Sequence, residues 1–177
     1  MSKIWFTSDL HFCHDKPFIY EPRGYTWIEE MNSGILDNFR EVVNKEDKVY
    51  ILGDCFLNEN FRGLELLKLI PGEKYIIYGN HDTDTRKALM GEAGFHCLGY
   101  AHQQKFNGYS FFLCHYPTMT SNYDLDKPLK HRILSLSGHT HSKEIWDAAG
   151  GYNVALDAHN NYPVELNEII EAFKNKN

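Results

Sequence analysis

The sequence predicts an α/β fold, a sandwich of mixed β-sheets with helices outside. Two observations predict it. The first half of the chain alternates short apolar runs with amphipathic helical patterns, whereas the second half is mostly strand-like. The 177 residues fit one compact domain spanning 1–177, and 42% hydrophobic with 14% aromatic content supplies too much core for a disordered chain.

Residues 3–8 are a short apolar, aromatic run that reads as a buried strand. A polar, turn-rich loop follows from 9 to 25. Thr26 with Glu29 matches a capping box and opens a helical pattern through Met31, Ile35, Leu36, Phe39 and Val43. Residues 48–52 form the next strand and end at Gly53-Asp54. Residues 61–70 read as a helix stopped by Pro71-Gly72. A third strand, 74–78, ends at Gly79-Asn80-His81-Asp82, and a helix from about 85 to 93 stops at Gly94. Asn107-Gly108 is a hairpin turn between two strand-like runs. Residues 109–114 end at His115, and 133–137 end at Gly138-His139-Thr140-His141. Short strands are expected around Trp146 and Val154, and a last amphipathic helix from about 165 to 173.

The formal net charge of -6 argues against a protein that grips long duplexes through their phosphates. It leaves room for a small phosphorylated ligand, because bound cations supply positive charge locally. No apolar stretch approaches the roughly 20 residues of a membrane span. Nothing at the N-terminus reads as a targeting signal, so a cytoplasmic location is expected. The oligomeric state is silent. Cys13, Cys55, Cys97 and Cys114 form no C-x-x-C pair. They are expected to be packing residues, not ligands or disulfides.

Five successive strand-like runs each end in residues that ligate metals. They deliver Asp9 and His11, then Asp54, then Asn80 and His81, then His115, then His139 and His141. In open α/β sheets, ligands bind beyond the carboxyl ends of the strands, where residues distant in sequence converge. In extended backbone, side chains at i and i+2 point to one side, so Asp9 with His11, and His139 with His141, can each direct two ligands to one place. Neighbouring Asn80 and His81 should diverge, one toward metal and the other toward substrate. Gly53, Gly79 and Gly138 are expected to let the backbone turn sharply before each ligand.

Asp9-x-His11, Gly53-Asp54, Gly79-Asn80-His81-Asp82, the lone His115 and Gly138-His139-x-His141 stand in the order of the calcineurin-like metallophosphoesterases. The chain resembles that family over nearly its whole length. It is most similar to the small single-domain members of bacteria and phages, through Ser8-Asp9-x-His11-Phe12-x-His14, Glu29-Glu30-Met31-Asn32 and Asn153-x-x-x-Asp157. Cys55 departs from the family, where an aromatic or aliphatic residue is common, and is expected to alter packing rather than ligation. The resemblance implies two mixed sheets flanked by helices and two divalent transition-metal ions. Asp9, His11, Asp54 and His141 would hold the first ion. Asp54, Asn80, His115 and His139 would hold the second, with Asp54 bridging. His81 would protonate the leaving oxygen as general acid, with Asp82 orienting it. Manganese is the foremost expectation, with iron, zinc, nickel or cobalt suiting the same ligands.

Two divalent cations, two aspartates and a bridging hydroxide leave a formal site charge of about +1, which attracts phosphate without a basic surface. The expected substrate is a small phosphate ester, more specifically a phosphodiester such as a nucleotide or cyclic nucleotide. Nucleic acid enters only as a substrate. The other readings are a non-catalytic metal-binding scaffold for a protein partner and a nucleic-acid processing nuclease. His14 is a candidate for substrate contact or for support of the ligands. Arg23 is a candidate for phosphate contact. The segment 116–132, with Tyr123, Lys127, Lys130 and Arg132, is a solvated loop by default and a candidate lid.

Overall fold

The structure is a computed structural model that describes residues 2–122 and 124–176; Tyr123 of the candidate lid lies outside them. In chain order the elements are β1 (Ile4–Thr7), α1 (Pro17–Tyr20), a 3₁₀ turn (Glu21–Arg23), α2 (Ile28–Val42), β2 (Lys48–Leu52), α3 (Asn60–Leu69), β3 (Glu73–Ile77) and α4 (Asp84–Glu92). They continue with β4 (His96–Gly99), β5 (Ala101–Phe106), β6 (Tyr109–Cys114), β7 (Ile133–Ser137), β8 (Tyr152–Asn153), β9 (Val164–Glu165) and α5 (Leu166–Asn175). One sheet has the order β4-β3-β2-β1-β9, the other β5-β6-β7-β8. Strands β1 to β4 run parallel, with β9 antiparallel at their edge. Strands β6 to β8 run parallel, and β5 joins them through the Asn107-Gly108 hairpin. Both sheets are therefore mixed, and helices flank them, as the sequence predicts.

The first sheet serves two cores by strict alternation. Trp5, Val49, Ile51 and Ile76 pack with α2 and α3 on one face. Phe6, Tyr50, Leu52 and Ile77 point the other way, into the second sheet and α5. This is the period of two that a pleated strand imposes. At one register across the parallel strands, Phe6, Tyr50, Tyr75 and His96 stack as a ladder with centroid separations of 5.3, 4.6 and 4.6 Å.

Some elements depart from the sequence reading. Helix α2 begins at Ile28 with Trp27 at its cap. The Glu30 carboxylate, not Glu29, reaches back to accept the Thr26 backbone N–H at 2.6 Å, so the reciprocal half of the capping pattern is displaced by one residue. Helix α1 lies inside the stretch expected to be loop. Strands β4 and β9 escaped the pattern because one is a partly exposed edge strand and the other has two residues. Around Trp146 there is no strand but a single bridge to Tyr152. No helix among the described residues is long and apolar enough to cross a membrane.

The topology brings the carboxyl ends of β1, β2, β3, β6 and β7 to one rim. Ser8 Oγ and His115 Nδ1 both donate to the Leu52 carbonyl, each at 2.7 Å, and the Gly138 N–H donates to the His115 carbonyl. At the opposite end of β1, buried Asp47 accepts from the Lys3 and Asn44 amides and from Trp5 Nε1. Burial works to raise the Asp47 carboxyl, but these donors outweigh it and hold it below its ordinary 3.8. Its contribution is therefore fully present above pH 3.8 and is lost as pH falls through the depressed value. Asp47→Asn should cost about 1.5–3 kcal/mol in urea denaturation at pH 7, and its penalty relative to wild type should shrink on acidification. A penalty independent of pH would remove the charge from this account.

Candidate metal centre and active site

The segments that carry the acidic and imidazole groups are not extended. Asp9, His11, Asp54, His139 and His141 all have left-handed backbone, with φ of 58, 51, 54, 71 and 49°. Each such non-glycine residue costs about 1–2 kcal/mol. The geometric reason given for the i, i+2 pairs is thus corrected: Asp9, His11 and Cys13 are left-handed in alternation, and Leu10 and Phe12 between them are buried in the core. The His139–His141 pair does not aim at one place but splits between two groups. Gly53 alone of the three expected turn glycines has positive φ (92°). Gly138 serves close approach instead, since a Cβ there would collide with Ser8 Oγ and the Asp9 carboxylate.

Hydrogen bonds fix the tautomers. His115 Nδ1 lies 2.7 Å from the Leu52 carbonyl, which can only accept, so the ring proton is on Nδ1 and Nε2 presents a lone pair. That lone pair faces Asn80 Oδ1 at 2.9 Å, His139 Nδ1 at 3.1 Å and Asp54 Oδ2 at 3.5 Å. His141 Nδ1 meets the Asp157 carboxylate at 3.1 Å, which leaves Nε2 facing Asp9 Oδ1 at 3.7 Å. His11 Nε2 lies 3.6 Å from Asp9 Oδ1 and 3.7 Å from Asp54 Oδ2.

These separations, 2.9–3.7 Å, lie near those of atoms that share a cation. Two donor atoms each about 2.1 Å from one ion stand roughly 3.0–3.4 Å apart at octahedral to tetrahedral angles. Among the described residues, Asp9 Oδ1 and His11 Nε2 are buried without any hydrogen-bond partner. Buried acceptors left this way are costly, and a crowd of lone pairs facing one another is repulsive, so the donor set fits cations. Asp9, His11 and His141 form one compact triad, and Asp9, Asp54 and His115 another. Asp9 is common to both triads, and Asp54 Oδ2 also faces one histidine of each, while Asp9 Oδ2 is committed to the His139 N–H at 2.8 Å. Burial, foremost, pushes the His11 imidazole down to about 4, which keeps it neutral, and raises Asp54. Burial also works to raise Asp9, but the neighbouring imidazoles outweigh it and hold Asp9 well below the usual carboxylate range. The groups open on a cleft of about 330 Å³ lined also by His14, Phe18 and His81.

A family model for calcineurin-like phosphoesterases matches residues 2–174. The chain belongs to the calcineurin-like phosphoesterase family. It is 32% identical to an uncharacterised protein of Methanocaldococcus jannaschii, over 98% of this chain and 93% of that one. It is 28% identical to the gene 66 protein of Mycobacterium phage L5, over 82% and 80%. The structure of a protein of unknown function from Aquifex aeolicus superposes with a TM-score of 0.75 at 25% identity, covering 97% of this chain and 100% of that one. An archaeal phosphodiesterase shares the fold at a TM-score of 0.53 and 16% identity, covering 86% and 82%. Membership places the chain in a hydrolase family that typically binds divalent metals.

The other expected residues of this family member divide. His14 lines the cleft, with its Nδ1 3.0 Å from His11 Nδ1. His81 also lines it, its ring 5.6 Å from His11 and 6.0 Å from His14, and its backbone N–H donates to Asp54 Oδ1 at 2.8 Å. Asp82 does not reach the His81 ring. Its carboxylate is buried and accepts the backbone N–H groups of Asp54, Cys55 and Gly79, clasping the β2 and β3 loops together. Its expected role as an orienting partner of His81 is corrected accordingly. Arg23 is likewise withdrawn from phosphate contact. Its side chain is buried, forks onto Asp157 at 2.8 and 3.1 Å, and donates to the carbonyls of Asp9 and Leu10. Cys55 is fully buried in the core, and burial raises its thiol well above the ordinary range, against a thiolate ligand. Cys13 is buried too, its thiol pushed up to about 11.

Sequence reasoning missed two supports. Asp157, quoted only as part of a motif, orients His141 and receives Arg23. Burial works to raise its carboxyl, but these two partners hold it at about 2. Arg86 donates to the His81 carbonyl at 2.5 Å and to Asn60 Oδ1 at 2.8 Å, tying the His81 loop to α3. Carboxylate support of a ligating histidine typically contributes 10–100-fold in metal affinity. Asp157→Asn should therefore lower manganese affinity by about 10–100-fold in a chelator competition. Unchanged affinity would show that His141 needs no such orientation.

Proposed function

We propose that this protein is a dinuclear metal-dependent phosphodiesterase acting on small substrates such as nucleotides or cyclic nucleotides. The observation that carries the reading is the pair of acceptor groups meeting at Asp54 Oδ2, 3.7 Å from His11 Nε2 and 3.5 Å from His115 Nε2. Asp9, His11, Asp54 and His141 would hold one ion, and Asp54, Asn80, His115 and His139 the other, with manganese the foremost choice. When bound, the cations supply charge neutralisation at the phosphoryl group and a water of lowered pKa.

The chain's own residues do the rest. Asp54 fixes the His81 loop by accepting its N–H, which sets the ring at the edge of the cleft. From there His81 gives its proton to the departing ester oxygen, a step that matters most for a poorly leaving alkoxide. With His11 Nε2 turned to metal, its Nδ1 carries the ring proton and donates to His14 Nδ1, so neutral His14 keeps its own proton on Nε2. His14 thereby fixes the tautomer of His11.

Protein reconstituted with excess manganese should hold two ions per chain by elemental analysis. It should turn over bis(p-nitrophenyl) phosphate faster than p-nitrophenyl phosphate. His81→Ala should keep both ions and lose about 10²–10⁴-fold in turnover of alkyl diesters, with a smaller loss on aryl diesters, whose leaving group needs little protonation. Equal losses on both would take the acid role from His81. Two bound ions with no turnover of any ester would favour the scaffold reading.

A further inference from the structure

We infer that two aromatic platforms border the ligand cluster, Phe18 in the cleft on the leaving-group side and Tyr116 beside His115 and His139, and that they select diesters with a planar ring on each arm. This rests on the phosphodiesterase reading above. Phe18 belongs to α1, where its neighbours Ile19 and Tyr20 are buried, yet Phe18 itself is 68% exposed. Its ring stands edge-on to His14 at 5.8 Å, and His14 lies 6.0 Å from His81, the proposed proton donor. Tyr116 follows His115 directly and is 45% exposed. Its ring packs edge-on to His139 at 4.7 Å and to His115 at 5.2 Å.

The two rings therefore contact different imidazoles of the cluster. Phe18 adjoins His14 and, through it, His11 and His81. Tyr116 adjoins His115 and His139. A phosphate held by the two ions that Asp54 would share would send one ester arm toward each half of the cluster. The arm toward His81 is the one that leaves, so it passes Phe18, and the retained arm passes Tyr116. Single exposed apolar residues are ordinary on a protein surface. What distinguishes these is that each borders a different half of the same ligand cluster. An exposed ring beside a phosphate site offers a stacking face for a nucleobase or aryl group, and such stacking is tolerant of the identity of the ring. The net charge of -6 favours short ligands of this kind over long polymers.

The test uses the manganese-loaded full chain and two esters with one leaving group, bis(p-nitrophenyl) phosphate and methyl p-nitrophenyl phosphate. Tyr116→Ala should raise KM about 5–100-fold for the first ester alone, because the second has no ring on its retained arm. Phe18→Ala should raise KM for both by a similar factor, because both lose p-nitrophenol past His81. Tyr116→Phe and Phe18→Tyr should stay close to wild type, and metal content should be unchanged in all four. Equal effects of Tyr116→Ala on the two esters, loss of metal from that variant, or no effect of Phe18→Ala would overturn the assignment. Should the wild-type protein hydrolyse neither ester, the phosphodiesterase reading falls. The platforms are then read by calorimetric titration of p-nitrophenyl phosphate against inorganic phosphate. A preference for the aryl ester that Phe18→Ala or Tyr116→Ala removes keeps them, and equal binding of the two anions by wild type contradicts them.

Discussion

Lone pairs are gathered where the fold gives them nothing to bind. At the rim shared by β1, β2, β3, β6 and β7, the buried atoms Asp9 Oδ1 and His11 Nε2 have no hydrogen-bond partner among the described residues, and His115 Nε2 faces other acceptors. Five of the residues that create this cluster also hold left-handed backbone. Both features are unfavourable taken alone. Folded proteins keep such arrangements where the surrounding structure over-determines them and where function uses them. Divalent cations would turn the mutual repulsion of these groups into coordination, so electrostatics and local strain point to the same occupant.

The surroundings are built to hold that cluster against its own repulsion. Asp82 accepts three backbone N–H groups from two loops and so sets where Asp54 stands. Arg23 spans the Asp9 carbonyl and Asp157, and Asp157 in turn holds the His141 ring. Gly138 lets the β7 loop lie against Ser8 and Asp9, where any side chain would displace the carboxylate. These buried charges are paired and satisfied, as a low-dielectric interior demands. Their work is positional: each fixes the orientation of a group in the cluster without adding an atom to it.

Much of this was legible in the sequence, for a definite reason. Strand-ending motifs announce themselves because apolar runs stop abruptly at Asp, His or Asn, and a parallel sheet sends all such ends to one side. Asp9, His11, Asp54, Asn80, His81, His115, His139 and His141 are indeed brought to one cleft or its floor. The fold class followed from the change of pattern between the two halves. What escaped were features that depend on contacts distant in sequence. The ion pair between Arg23 and Asp157 crosses more than a hundred residues, so Arg23 read as a phosphate contact and Asp157 only as part of a motif. Asp82 sits beside His81 in sequence, yet its carboxylate turns to the β2 loop. The left-handed backbone at His11 and His141 is only weakly marked by residue type, since glycine is its usual occupant and histidine adopts it less often. Strand β9 is too short to show a period at all.

The family places the chain among metal-binding phosphoesterases, and the arrangement of its own residues argues for two ions sharing Asp54. Diffraction from manganese-soaked crystals with anomalous scattering is the most direct measurement. The account predicts two anomalous peaks about 3.5–4 Å apart. One should lie among Asp9, His11 and His141 and the other among Asn80, His115 and His139, with an Asp54 carboxylate oxygen between them. A single peak, or two peaks with Asp54 bound to neither, would contradict it.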